Sequence, residues 1–156
     1  MSLFAFKCDN GKKIGACPQL VRAGMSNIKP LEAPIEAKKQ VRVLVVDDEE
    51  KVIKMTRRIL DRKKCASVGA ESGKAALEIL KTERFDVIVL DYNMLDMTGL
   101  QLFEMLSQED KAKVIFNTGI SANSDALAGT GRPVLIKPWQ MEEIYREVSS
   151  IVGPLE

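Results

Sequence analysis

Four short stretches carry side chains that could do chemistry together: Asp47-Asp48, Asp91, Thr118 and Lys137-Pro138. Carboxylates gathered at one place repel and raise one another's pKa, so a divalent cation is their natural stabiliser. All-oxygen ligation with room for waters and phosphate suits magnesium, or manganese in its place. Beside such a metal Asp91 is poised as a nucleophile. Its carboxylate can attack a phosphoryl group and carry it as an aspartyl-phosphate, while the metal and a cation neutralise the transferring oxygens. Lys137 is the obvious cation, and Thr118 offers a hydroxyl able to bond the new phosphoryl group. Taken singly, an Asp-Asp pair is more often a helix cap and a lone lysine a solvated one. The joint placement of the four is what favours metal and phosphate.

That placement depends on the elements before them. Apolar runs at 41–46, 86–90, 113–117 and 134–136 read as buried strands, each delivering its polar residue at the carboxyl edge. Unbroken Val/Ile/Leu runs suit parallel strands covered on both faces, and ligands of open parallel sheets bind at that edge. Between them, Val52, Met55, Ile59 and Leu60 recur at helical spacing after the acidic residues 48–50, whose charge favours a helix amino end. A weak strand at 66–70, helices at 73–82, 99–106 and 140–152, and a short helix near 124–128 complete the alternation. Gly119, Gly129 and Gly131 keep the fourth helical segment short. Five strands alternating with helices predict an α/β fold: a flavodoxin-like, doubly wound five-stranded parallel sheet with helices on both faces.

Residues 1–40 have another texture, with Pro18, Pro30 and Pro34 and no sustained periodicity. They are expected to form an N-terminal extension, with a short hairpin about Asp9-Asn10-Gly11 and a surface connector over 31–40. Residues 41–156 then make the domain, a size that buries a core without staples.

Composition narrows the chemistry. With 23 Lys plus Arg against 22 Asp plus Glu, no global field argues for nucleic acid or an anionic membrane. The basic run Arg57-Arg58 and Arg62-Lys63-Lys64 reads as a solvated face. The chain has no histidine, which excludes histidine acid–base catalysis and mixed Cys/His zinc sites within one chain. Cys8 and Cys17 are nine positions apart, too far for a zinc knuckle, so they and Cys65 are expected to be reduced thiols. No apolar run is long enough to span a membrane and no signal-peptide pattern opens the chain, so membrane insertion is not expected and the cytoplasm is the expected location.

The segments Val43-Leu44-Val45-Val46-Asp47-Asp48, Val89-Leu90-Asp91-Tyr92-Asn93-Met94, Asn117-Thr118-Gly119 and Lys137-Pro138-Trp139, in that order, resemble a receiver domain of bacterial two-component response regulators. The resemblance covers 41–152 and implies a CheY-like fold in which Asp91 accepts phosphate from a sensor histidine kinase. It further implies that Asp48 ligates magnesium directly, Asp47 largely through water and Asn93 through its backbone carbonyl. Thr118 and Lys137 would hold phosphoryl oxygens, and Pro138 would follow the lysine through a cis bond.

Departures from that pattern carry their own expectations. Val134 stands three positions before the lysine, where the family usually has an aromatic residue linked to movement of the threonine. Leu95 replaces a common proline, which predicts a looser loop, and Trp139 replaces a frequent phenylalanine, with packing as its expected role. Ile120 stands where similar receivers often carry a group that orients attacking water, predicting slow self-dephosphorylation.

The leading expectation is a phosphorylation-switched domain, not a conventional enzyme, whose output comes from docking a downstream protein, from homodimerisation or from the extension. A fragment of a longer regulator or hybrid kinase fits equally. The alternative is a receiver-like interaction scaffold that no longer uses phosphate. An aspartyl phosphohydrolase is disfavoured because position 93 is asparagine rather than the acid–base aspartate, and a flavin-binding flavodoxin because no Ser/Thr/Gly-rich loop follows the first strand.

Overall fold

Val43, Leu44, Val45 and Val46 are at most 1% exposed, as a strand must be when both faces of its sheet are covered. They belong to β1 (Arg42–Val46), which is followed by α1 (Glu50–Asp61), β2 (Ala66–Ala70), α2 (Gly73–Thr82) and β3 (Val87–Asp91). Next come α3 (Gly99–Met105), α4 (Gln108–Lys111), β4 (Val114–Thr118), α5 (Ser124–Ala128), β5 (Val134–Ile136) and α6 (Met141–Val152). The computed structural model describes residues 39–119 and 124–155, all from the unit Lys38–Glu156. The hairpin and most of the connector expected before residue 41, with Cys8 and Cys17, lie outside the described residues, as does Ile120.

All five strands are parallel in the order β2-β1-β3-β4-β5, so the predicted doubly wound, flavodoxin-like fold is borne out. Alternation splits each strand between two cores. Val43, Val45, Val87, Val89, Ile115 and Leu135 face α1 and α6 through Ile53, Leu60, Ile144 and Val148. Leu44, Val46, Ile88, Leu90, Val114 and Phe116 face α2, α3 and α5 through Ala76, Leu80, Leu102 and Leu127.

Several local expectations change. β3 and β4 each run one residue later than their apolar content suggested, so Asp91 and Thr118 are the last residues of their strands. A polar side chain can end a strand when a buried neighbour partners it. In α1, Met55 is 49% exposed, and Thr56 takes a place on the buried stripe with Ile53 and Leu60, spaced three and seven residues from Ile53. The four-residue α4 was not anticipated. It stands on Ser107, whose Oγ accepts from the Asp110 N–H at 3.1 Å; the Ser-x-x-Asp pattern was the available signal. The short α5 and the helix over 141–152 match expectation.

The loop after β3, expected to be loose at Leu95, is tied down immediately beyond it. Asp96 accepts from the Gly73 and Lys74 N–H groups at 3.1 and 3.0 Å, capping α2, while Leu95 itself is 96% exposed. Gly99 opens α3 against the chain of β3. A Cβ there would lie 2.3 Å from the Asp91 carbonyl oxygen, so only glycine fits.

Candidate phosphoryl and metal site

The register sets the site. Val46 pairs with Leu90 and Leu90 with Phe116, while one step on Asp91 pairs with Asn117 and Asn117 with Leu135. Asp47, one residue past Val46, therefore stands at the height of Asp91, and β5 hands the chain to Lys137 beyond Ile136, the partner of Thr118. The Lys137–Pro138 peptide is cis, as the resemblance implied.

Asp47 and Asp91 are 1% and 4% exposed. Lys137 Nζ lies 2.7 Å from Asp47 Oδ2 and 2.7 Å from Asp91 Oδ1, bridging the two carboxylates. The other oxygen of Asp47 accepts from the Glu49 N–H at 2.9 Å, which aims the side chain. Burial pushes the Asp91 carboxyl above its ordinary value. Lys137 and the Asn93 N–H pull it back, and the charge of Asp47 adds to the rise. For Lys137, burial opposes the charge but the two carboxylates outweigh it, so the ammonium is held above its usual value.

Of the predicted site residues, Asp47, Asp91 and Lys137 are therefore brought into contact. Thr118 is buried at the adjacent strand end, and its hydroxyl donates to the Gly119 carbonyl at 3.2 Å rather than to Asp91. Asp48 is half-buried and Asn93 exposed, the latter bridging to Thr98. Among the described residues no three acidic or thiol side chains form a ready-made metal-holding cluster; Asp47 and Asp91 are drawn together by the ammonium between them, with Asp48 the residue after Asp47. That ammonium is a local counter-charge for the two buried carboxylates.

Sequence reasoning missed one bond. Trp139, assigned only to packing, donates its indole N–H to the buried Asn117 Oδ1 at 2.7 Å.

The family model for the response regulator receiver domain matches residues 43–149. The chain belongs to that family. Among curated relatives, this receiver is 32% identical over 114 residues to the transcriptional regulatory protein GlrR of Escherichia coli, covering 70% of this chain and 26% of that protein. It is 30% identical over 116 residues to the heme response regulator HssR of Staphylococcus aureus, covering 72% of this chain and 51% of that one. The receiver thus spans about half or less of the length of these relatives. Its fold is shared with a Francisella response regulator receiver domain, at TM-score 0.64 and 26% identity over 72% of this chain and 96% of the other. Chemotaxis response regulator CheY4 of Vibrio cholerae aligns at TM-score 0.65 and 24% identity over 72% of this chain and 98% of its own, a likeness of fold. Among the described residues no helix is long and apolar enough to cross a membrane.

Proposed function

We propose that this receiver accepts a phosphoryl group on Asp91 from a sensor histidine kinase, with magnesium, and thereby switches its contacts with a downstream protein. The observation that carries the reading is the single ammonium of Lys137 set between two buried carboxylates. One cation against the pair, with a third carboxylate on the next residue, leaves negative charge unbalanced, and the donors at hand are oxygens. Both facts fit Mg2+ or Mn2+. Asp47, Asp48, Asp91 and the Asn93 carbonyl would hold the ion. When bound, it supplies positive charge for the phosphoryl oxygens.

Asp91 supplies the nucleophile. A carboxylate oxygen attacks phosphorus, a new P–O bond forms, and the bond to the donor breaks with its electron pair and a proton going to the leaving group. Lys137 follows the added charge, being within reach of Asp91 already and free to exchange a carboxylate oxygen for a phosphoryl oxygen. The Thr118 hydroxyl, on the neighbouring strand end, gives up its bond to the Gly119 carbonyl and donates to the phosphoryl group. Later attack of water on phosphorus releases phosphate and restores the carboxylate. The intact acid pair and its lysine support phosphate use over the scaffold alternative.

Incubating the protein with Mg2+ and acetyl phosphate, followed by intact mass, tests the reading. Wild type gains a single phosphoryl group and Asp91→Asn gains none. A folded wild-type protein that stays unmodified, or an equal adduct on Asp91→Asn, contradicts it.

A further inference from the structure

We infer that Asn117 and Trp139 form a positioning latch for Lys137, a role that rests on the phosphoryl-acceptor reading above. The turn carrying Lys137 leaves β5 after three residues and must bring its ammonium back over β3 and β1. Two bonds fasten that turn to the end of β4. The Lys137 N–H donates to the Thr118 carbonyl at 2.7 Å, and two residues on the Trp139 indole N–H donates to Asn117 Oδ1, also at 2.7 Å. The lysine is thus clamped on both sides of its cis-proline turn to consecutive residues of one strand.

Asn117 is well chosen as the anchor. It is 1% exposed, and it is the register partner of Asp91, whose following residue Tyr92 donates its N–H to the Asn117 carbonyl at 3.1 Å. Its side chain lies on the face of Ile115 and Leu135, where the indole packs against the same apolar cluster. A buried amide oxygen there must be bonded, and the Trp139 indole N–H donates to it. Any displacement of the turn breaks that bond, so the residue holding Lys137 and the strand holding Asp91 move together. Neither residue touches the reacting atoms. Both act through Lys137.

The discriminating set is wild type, Trp139→Phe, Asn117→Leu and the double variant, each followed for melting temperature and for the rate of phosphoryl gain from acetyl phosphate with Mg2+. Either single variant leaves the other partner of the bond without its mate, the buried Asn117 oxygen or the half-buried Trp139 N–H, and loses stability, whereas the double variant replaces both partners by apolar groups and regains most of it. Rate separates the roles. All folded variants, the double included, are expected to transfer about five- to tenfold more slowly at saturating donor, with little change in the half-saturating concentration. A double variant that recovers wild-type rate along with its stability, or any folded single variant that transfers at the wild-type rate, overturns the latch. An unmodified wild type in the same assay would instead remove the acceptor reading, and the latch with it. Should Asn117→Leu fail to fold, Trp139→Phe alone decides.

Discussion

Lys137 is the residue on which the site turns, because its one ammonium bridges two buried carboxylates and offsets part of their charge. Removing one member of such a group leaves charge stranded. Lys137→Ala is expected to lower stability in metal-free buffer by about 2 kcal/mol, discounted from the full buried-pair cost because the lysine is partly exposed. Urea midpoints with and without Mg2+ would check this, and the deficit should shrink when the divalent ion is added. Gly99 is the second sensitive position. Its Cβ direction is occupied by the Asp91 carbonyl oxygen, so Gly99→Ala must displace either α3 or the backbone of Asp91. A loss of about 1–3 kcal/mol is expected by thermal unfolding, accompanied by slower phosphoryl gain. An alanine variant as stable as wild type would show that the approach of α3 to β3 is looser than described. At this scale the sequence was legible where each chemical residue closes an apolar run, as Asp47, Asp91 and Lys137 do. The Trp139–Asn117 bond was not, because nothing local links position 117 to 139; the β4–β5 pairing and the turn after it create the contact.

Among the elements, α2 is tied to the loop beyond β3 through Asp96. Burial raises the carboxyl of Asp96, but backbone N–H donors from Lys74, Gly73 and its own loop together outweigh this and hold it below its ordinary value. A depressed folded pKa contributes stability above the unfolded value that is lost as pH falls through the folded one. Asp96→Ala is therefore expected to cost about 1 kcal/mol at neutral pH, with the gap to wild type closing as the medium becomes more acidic than the carboxylate range. A gap that stays constant with pH would rule out the charged cap. Helix α1 carries the opposite case. Thr56 is fully buried and its hydroxyl has no hydrogen-bond partner among the described residues. Thr56→Val, which removes the orphan hydroxyl at nearly constant shape, is expected to raise stability by about 1 kcal/mol. A lower melting temperature would mean the hydroxyl is satisfied after all. The misplacement of Met55 on the buried stripe has the same root. Apolar spacing fitted Met55, yet the helix turns its stripe through Ile53, Thr56 and Leu60, and threonine carries no apolar signal to show it.

For the whole molecule, topology was the most legible feature, since unbroken Val/Ile/Leu runs separated by helical periodicity leave few ways to build a sheet. Strand order follows from right-handed crossovers, and the carboxyl edge then collects the polar residue at the end of each strand. What stayed hidden was how the carboxylates compensate. Three acidic residues on two strand ends left open how their charge is met; the molecule buries Asp47 and Asp91 and places a lysine from the far edge of the sheet between them. Asp91 stays next to its counter-ion while burial raises its carboxyl. The central claim, that Asp91 is the acceptor, is tested most directly by trapping the phosphoprotein with borohydride after treatment with acetyl phosphate and Mg2+. That reagent reduces an acyl phosphate to the alcohol, and peptide mass mapping then locates the change. Homoserine at position 91, and at no other aspartate, is the predicted result; an unreduced Asp91 with the label at another residue would contradict the account.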